Sequence, residues 1–300
     1  MSKAAELANL IGNINAGGGG VNRNVIINGA MNVAQRGTSF TTVANGAYTI
    51  DQFRYGKSND GEITITQDSS GPSGFANSLK VDVTTADASI AAGQYADIFA
   101  RIEAQNLQLL KFGTSDAQNF TLSFYVKSNK TGTYAVTIGQ HDNSFKQAIL
   151  NYTINSADTW ERKSLTFTGD TAGVIDDNAD RGLEILWWLA AGSTYTGGSA
   201  TGAFATYADA NHAAGQAVNL LDSTSNEWFL TGVQLEIGQN PTEFEHEPIE
   251  RTLAKCKRYY QKLSDSYELH GQICTGHYSS SQQFQGVIKF VPQMRAAPSL

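Results

Sequence analysis

Phe53-Arg54-Tyr55-Gly56-Lys57-Ser58-Asn59-Asp60-Gly61-Glu62-Ile63-Thr64-Ile65-Thr66-Gln67 is the stretch on which the fold turns. Two short runs, Phe53–Lys57 and Glu62–Gln67, flank Asn59-Asp60-Gly61, residue types that tolerate the left-handed backbone of a tight turn. In the second run Ile63 and Ile65 alternate with threonines, which a pleated strand sends to opposite faces. The pattern predicts a β-hairpin with one buried face.

The same signature recurs on both sides. Val25–Ile27 and Met31–Gln35 flank Asn28-Gly29. Further strands are predicted at Ser78–Thr84, Phe120–Ser128, Thr133–Gln140, Gln147–Ile154, Trp160–Thr168, Leu183–Ala190 and Glu227–Ile237. Leu122, Phe124 and Val126 share one face of their strand, as do Leu165 and Phe167 of theirs. Short strands separated by Gly, Ser, Asn and Asp turns, with almost no helix between them, predict a mainly β sandwich over residues 21–240. Two segments break the rhythm. Ala96–Leu110, with Ile98, Ile102 and Leu109, reads as strand, helix or both. Tyr195–Leu221, rich in Gly, Ala, Thr and Ser, reads as a long loop with little structure, either a binding or packing element or disordered.

Helical patterns flank the sandwich. Over residues 2–15, Ala4, Leu7, Ile11 and Ile14 fall on one stripe. Two heptads are too short to be stable alone, so this helix must dock or self-associate. Gly17 to Gly20 follow as a flexible joint, which makes residues 1–20 a candidate anchor. In residues 241–264, Pro248 opens a helix without cost. Ile249, Leu253, Cys256, Tyr260 and Leu263 then form a stripe that either docks on the sandwich or self-associates. Glu268–Tyr278 and Phe284–Val291 suggest a partial C-terminal β region over residues 265–300, an abrupt ending for a β domain.

Composition narrows the function classes. Charged residues are 16% of the chain, against ~25% in soluble domains generally. The net charge is −7. The densest basic cluster, Lys255, Lys257 and Arg258, sits in a predicted helix beside Glu247 and Glu250, as a solvated helix face does. Nucleic-acid binding is therefore disfavoured. Cys256 and Cys274 are too few for a disulfide framework and lack metal-ligand spacing; Cys256 reads as a buried thiol. No apolar run approaches the ~18 residues of a membrane span, and the N-terminus lacks the shape of a signal peptide. A soluble product made in a cytoplasm is expected.

Chemistry-bearing motifs are absent from the sequence. Gly17 to Gly20 lacks the Lys-Ser/Thr of a phosphate loop, and neither a Gly-x-Ser-x-Gly elbow nor a His-Glu-x-x-His pair occurs. Asp176, Asp177 and Asp180 form either a polar turn or a Ca²⁺ site. Glu243, Glu245, Glu247 and Glu250 lead into a helix, whose N-terminus favours negative charge. No catalytic residue, metal or cofactor is assigned. Trp187 and Trp188 are adjacent in a strand and must face opposite ways. The outward one is the candidate ligand contact, and alternation cannot say which that is. Trp160 and Trp228 read as edge-of-core packing.

Several stretches together resemble a family of tailed-phage and prophage virion proteins. They are Asn22-Arg23-Asn24-Val25-Ile26-Ile27-Asn28-Gly29-Ala30-Met31 with Gln35-Arg36-Gly37, Tyr48-Thr49-Ile50-Asp51-Gln52-Phe53, and Phe120-Thr121-Leu122-Ser123-Phe124-Tyr125-Val126-Lys127-Ser128. Gly232-Val233-Gln234-Leu235-Glu236-Ile237-Gly238 with Thr242-Glu243-Phe244-Glu245 joins them, as do Lys255-Cys256-Lys257-Arg258-Tyr259-Tyr260 and the closing Val291-Pro292-Gln293-Met294-Arg295-Ala296-Ala297-Pro298. Family members usually continue past this last motif.

The resemblance implies a jelly-roll sandwich similar to carbohydrate-binding modules, with Gly232–Gly238 returning beside Asn24–Asn28. It also implies a non-enzymatic structural component of the virion, most simply a trimeric tail fibre that contacts the host. Its ligand would then be a host surface polysaccharide, and its N-terminal segment would meet other virion proteins. Leu7, Ile11, Ile14, Leu253 and Tyr260 are the anchoring and oligomerisation candidates. The alternative is a capsid decoration or head-fibre protein anchored by the same segment. Membrane insertion is not expected, and no sugar-binding residue travels with these motifs.

Overall fold

The computed structural model describes residues 2–5, 23–142, 144–263, 276–280 and 283–298. Leu7, Ile11, Ile14 and most of the expected N-terminal helix lie outside the described residues. The chain divides into two units, Met1–His246 and Glu247–Leu300.

Unit one holds β1 (Ser39–Thr41), β2 (Phe53–Lys57), β3 (Glu62–Asp68), β4 (Ser78–Thr85), β5 (Tyr95–Glu103), β6 (Phe120–Ser128), β7 (Gly132–Gln140), β8 (Lys146–Ile154), β9 (Glu161–Phe167), β10 (Arg181–Ala191), β11 (Ala205–Thr206) and β12 (Glu227–Ile237). Two antiparallel sheets result, ordered β1-β3-β4-β12-β6-β9 and β11-β8-β7-β10-β5-β2. From β4 onward the chain changes sheet at every step except the β7–β8 hairpin and the step from β10 to the short edge strand β11. The eight strands β4–β10 and β12 thus form two four-stranded layers, β4-β12-β6-β9 and β5-β10-β7-β8. That connectivity is a jelly roll. The remaining strands extend the edges. Ala96–Leu110 resolves into β5 followed by a 3-10 turn at Ala104–Leu110.

The expected hairpin of β2 and β3 does not form. β2 pairs with β5, whereas β3 pairs with β1 and β4. Asn59-Asp60-Gly61 instead carries the chain from one sheet to the other. Asn59 is buried and its Nδ2 donates to Tyr95 O at 2.7 Å, which ties the turn to β5. Phe53, Tyr55, Ile63 and Ile65 are all fully buried, so the two runs share a core across the sandwich rather than a ladder. Alternation reports a buried face, not the neighbouring strand.

The core lies between the sheets. Phe53, Ile98, Val136 and Trp187 from one layer meet Ile65, Phe124, Phe167 and Leu230 from the other, all without exposure. Trp187 and Phe124 pack edge to face at 6.0 Å across the gap. Each such side chain contributes about 1.5–3 kcal/mol by leaving water. Trp228 is fully buried in this core, and Trp160 packs on Phe229 at 5.9 Å.

Residues 24–35 are irregular rather than the two expected strands, because Asn28 and Met31 take left-handed backbone, with φ of 63° and 58°. Side chains replace the missing ladder. Asn28 Nδ2 donates to Val33 O and Asp51 O, and its Oδ1 accepts from Val33 N, all at 2.9 Å. Asn24 Nδ2 donates to Val233 O at 3.0 Å, and Asn24 Oδ1 accepts from Leu235 N at 3.1 Å. Val25 N donates to Leu235 O, and Val233 N to Gly29 O. β12 therefore runs beside residues 24–29, in a seam rather than a ladder. Buried Glu236 closes it by accepting from Thr242 N at 2.8 Å and Thr242 Oγ1 at 2.7 Å.

In unit two Pro248 precedes a nine-residue helix, Ile249–Lys257. Thr252 and Cys256 are its buried positions, Leu253 is half-buried and Ile249 is exposed. The helix ends before Tyr260 and Leu263, so the expected five-residue stripe is not one face. β13 (Gly276–Ser280) and β14 (Gln283–Gly286) pair antiparallel. No described helix is long and apolar enough to cross a membrane.

Candidate functional site

Strict alternation builds a second face on the β5–β10 layer, turned away from the core. In β5, Ala96, Ile98, Ala100 and Ile102 point inward, leaving Tyr95, Asp97, Phe99 and Arg101 outward. In β10, Leu183, Ile185 and Trp187 point inward and Glu184, Leu186 and Trp188 outward; in β2, Arg54 and Gly56 are outward. Register sets these side chains in rows. Gly56, Asp97 and Trp188 are cross-strand neighbours, then Arg54, Phe99 and Leu186, then Arg101 and Glu184.

Tyr195–Leu221 covers part of this face, and it carries more structure than its composition predicts. It begins within a helical turn, Ser193–Thr196, and contains the strand β11, which pairs with β8. Side chains of the sheet hold it. Gln147 Nε2 donates to Ala208 O and Asn151 Nδ2 to Ala214 O, both at 2.9 Å. Gln216 Oε1 accepts from Ala135 N at 2.6 Å. Trp188 Nε1 donates to Thr137 Oγ1 at 2.9 Å, and Thr137 Oγ1 donates to His212 O. Polar groups on β7 and β8 thus do what apolar packing does elsewhere. Thr137→Val keeps the shape and removes both bonds, leaving a buried indole N–H and a carbonyl unpaired. A loss of about 1–3 kcal/mol is expected in thermal denaturation, with faster proteolysis within 195–216.

What the cover leaves open is a cavity of about 450 Å³, inside the ~300–1,000 Å³ range of small-ligand sites. Its aromatic wall is tightly packed. His212 meets Trp188 at 5.0 Å and Tyr207 at 5.1 Å, and Tyr95 meets Tyr195 at 5.9 Å. Burial pushes the His212 imidazole down to about 4, against the pull of Glu184 and Asp209, so it is neutral at physiological pH. Its Nδ1 lies 2.7 Å from Gln147 Oε1.

Arg54, Asp97, Arg101 and Glu184 line the floor. Asp97 is only 2% exposed, and its Oδ1 has no hydrogen-bond partner among the described residues. Burial first, and the charge of Glu184 second, hold its carboxyl well above the usual carboxylate range. Gly56 makes room for it, because a Cβ there would lie 2.7 Å from both Asp97 oxygens. Glu184 is the opposite case. Burial disfavours its charge, but contacts with His141 and Arg101 and the charges of Arg101 and Arg181 bring it to about 2. Arg101 Nε lies 2.5 Å and Arg181 Nη1 3.1 Å from its Oε1, and His141 Nε2 is 3.3 Å from its Oε2, off the line of a good hydrogen bond. Arg54 donates through Nε and Nη2 to Gly46 O and lies over the rings of Tyr48 and Phe99, at 4.6 and 5.0 Å.

Of the adjacent tryptophans, Trp187 is sealed in the core and Trp188 belongs to the cavity, as a 1%-exposed wall rather than an open platform. Asp176, Asp177 and Asp180 are exposed, and no group of three or more potential metal ligands occurs among the described residues. Sequence reasoning missed Arg54, Tyr95, Asp97, Phe99, Arg101, Glu184, Tyr207 and His212. For the β5 set a signal existed: Tyr, Asp, Phe and Arg alternate with Ala and Ile through the run.

No protein-family model matches the chain, and no curated protein matches it in sequence. Solved structures do. A Bacteroides thetaiotaomicron protein described as sugar-binding is 14% identical, with a TM-score of 0.40 over 72% of this chain and 100% of its own. A family 11 carbohydrate-binding module from Clostridium thermocellum, in complex with a β-1,3-1,4-mixed-linked tetrasaccharide, is 10% identical, with a TM-score of 0.34 over 70% and 99%. The enzymatically active domain of bacteriophage CBA120 tailspike protein 4 is 13% identical, with a TM-score of 0.35 over 66% of this chain and 21% of its own. At these scores the likeness adds nothing to what the strand order establishes. The chain is a jelly-roll protein.

Proposed function

We propose that this chain is a non-catalytic glycan-binding protein of a phage particle, and that the covered face of the β5–β10 layer binds the sugar. One observation carries the binding role. A cavity walled by Tyr, Trp and His rings holds at its floor, on strand β5, a buried carboxyl whose Oδ1 has no partner among the described residues. Aromatic faces match the C–H faces of sugar rings, while a few placed polar groups fix orientation. Glycosidases work with a pair of carboxyl groups flanking the scissile bond; here Glu184 is occupied by Arg101 and Arg181, which disfavours hydrolysis.

The virion assignment is supported by the sequence motifs at Asn22–Gly37, Tyr48–Phe53 and Gly232–Glu245. Asn24, Asn28, Asp51 and Glu236 within them hold the seam, so these motifs describe a scaffold. On this reading the chain is a trimeric tail-fibre component, attached to other virion proteins through its N-terminal segment and turned toward host polysaccharide. A capsid decoration or head fibre is the second reading. Copies per purified particle separate the two, tens for a fibre against hundreds for a decoration on symmetry grounds.

The binding role is tested by affinity electrophoresis in host surface polysaccharide. Retardation by the wild type, with at least tenfold weaker binding by Tyr195→Ala/Tyr207→Ala at near-normal stability, is expected. Equal retardation of both proteins would remove the face from the site. Release of reducing ends would restore an enzyme.

A further inference from the structure

Cationic groups are in excess on the cavity floor of an acidic chain. Arg54 has no carboxylate within 4 Å among the described residues; its bonds go to one backbone carbonyl, through Nε and Nη2. Arg101 spends Nε on Glu184, and no described residue accepts from its two terminal nitrogens. Both guanidinium groups flank the same ring, 5.0 and 5.1 Å from the centre of Phe99. Glu184 does not cancel them, since Arg181 shares it. Asp97, buried without a partner for Oδ1, adds no negative charge while its proton stays on. The chain as a whole carries −7, so this local surplus runs against its average.

We infer that the cavity takes an acidic sugar, a saccharide whose ring carboxylate is gripped by Arg54 and Arg101 while its ring packs against the Tyr195 and Tyr207 wall. This rests on the glycan-binding reading above. Guanidinium forks match a carboxylate through paired N–H donors, and do so best where water is excluded. The aromatic wall requires a ring beside the anion, which a bare ion does not supply. A hexuronate and a nonulosonate share this chemistry, and polymers of each serve as probes.

The test uses the full chain against polygalacturonate, alginate and polysialate, each before and after carboxyl reduction, with mixed-linkage β-glucan and xylan as neutral polymers. Binding to at least one acidic polymer is expected, weakening tenfold or more on carboxyl reduction and tenfold or more with Arg54→Gln. Arg54→Lys, which keeps charge but loses the fork, should fall between. Reduction of the polymer leaves the protein untouched, so that arm stands even if a variant folds poorly. Equal binding of native and carboxyl-reduced polymers, or binding of neutral polymers alone, overturns the acidic ligand and leaves glycan binding in place. Binding of inorganic phosphate or AMP without any acidic polymer overturns it in favour of a phosphate ligand. No binding to any polymer overturns both.

Discussion

Gly29→Ala is expected to lower the melting temperature by about 10 °C. A Cβ at Gly29 would lie 2.1 Å from Val233 O and 3.1 Å from Val233 C. Both are backbone atoms of β12 and cannot swing aside as a side-chain tip can. Relief requires the 24–29 segment to lift from β12, which breaks the bond from Val233 N to Gly29 O and strains that from Asn24 Nδ2 to Val233 O. Buried polar groups left without partners cost about 1–3 kcal/mol each. Two such losses come to about 2–6 kcal/mol. For a domain of this size, about 2–4 °C per kcal/mol converts that into the expected shift. Differential scanning calorimetry checks it. A melting temperature within 2 °C of wild type would show that the seam is not part of the cooperative fold.

Gly29 also shows what kind of information a sequence holds. Asn28-Gly29 carries a turn signal, and the structure does bend the chain there; that β12 lies against the bend is a long-range fact no local pattern encodes. Strand positions were legible for the same local reason. Phe120–Ser128 and Glu227–Ile237 match β6 and β12 residue for residue, because alternation and turn residues act within a few positions. Partners were not legible, and the β2–β3 pair is the case in point. Its tight-turn residues suit a hairpin, yet Asn59 bonds to β5 and sends the chain across the core. The cover failed differently. Gly, Ala, Ser and Thr cannot bury much apolar area, so composition gave no sign of order; the order comes from Gln147, Asn151 and Thr137, which bond to its backbone from elsewhere in the sequence, and from Gln216, which accepts from the β7 backbone. The site was half legible. Opposite facing of Trp187 and Trp188 follows from pleat alone, whereas the meeting of Arg54, Asp97 and Glu184 needs the order β10-β5-β2.

Asp97→Asn should stabilise the protein at neutral and alkaline pH, by an amount that vanishes in acid. In the unfolded chain the carboxyl titrates near its ordinary value, about 3.9. In the fold, burial and the Glu184 charge raise it, so between the two values the folded state holds a proton that the unfolded state has released. Stability is then full below the unfolded value and falls as pH rises through that window, at up to about 1.4 kcal/mol per unit. Asparagine fits the same space beside Gly56 and does not ionise, so the two stability curves meet near pH 4 and separate upward. Asp51, another buried carboxyl held above its usual range by burial, and His212 titrate in both proteins and cancel in the difference. Urea denaturation from pH 4 to 9 measures the gap. Parallel curves, or a wild type more stable at pH 7, would mean that the carboxylate is charged and satisfied. Recognition should follow the same proton. The groups facing Asp97 across the cavity are Arg54 from β2, Tyr95 and Arg101 from β5, Glu184 from β10, and Tyr195, Tyr207 and His212 from the cover. Among them only the two arginines favour an anion, and each loses ground once Asp97 ionises. Wild-type affinity for an acidic sugar should therefore decline with rising pH, while that of Asp97→Asn stays level. A neutral sugar should show no such difference between the two proteins.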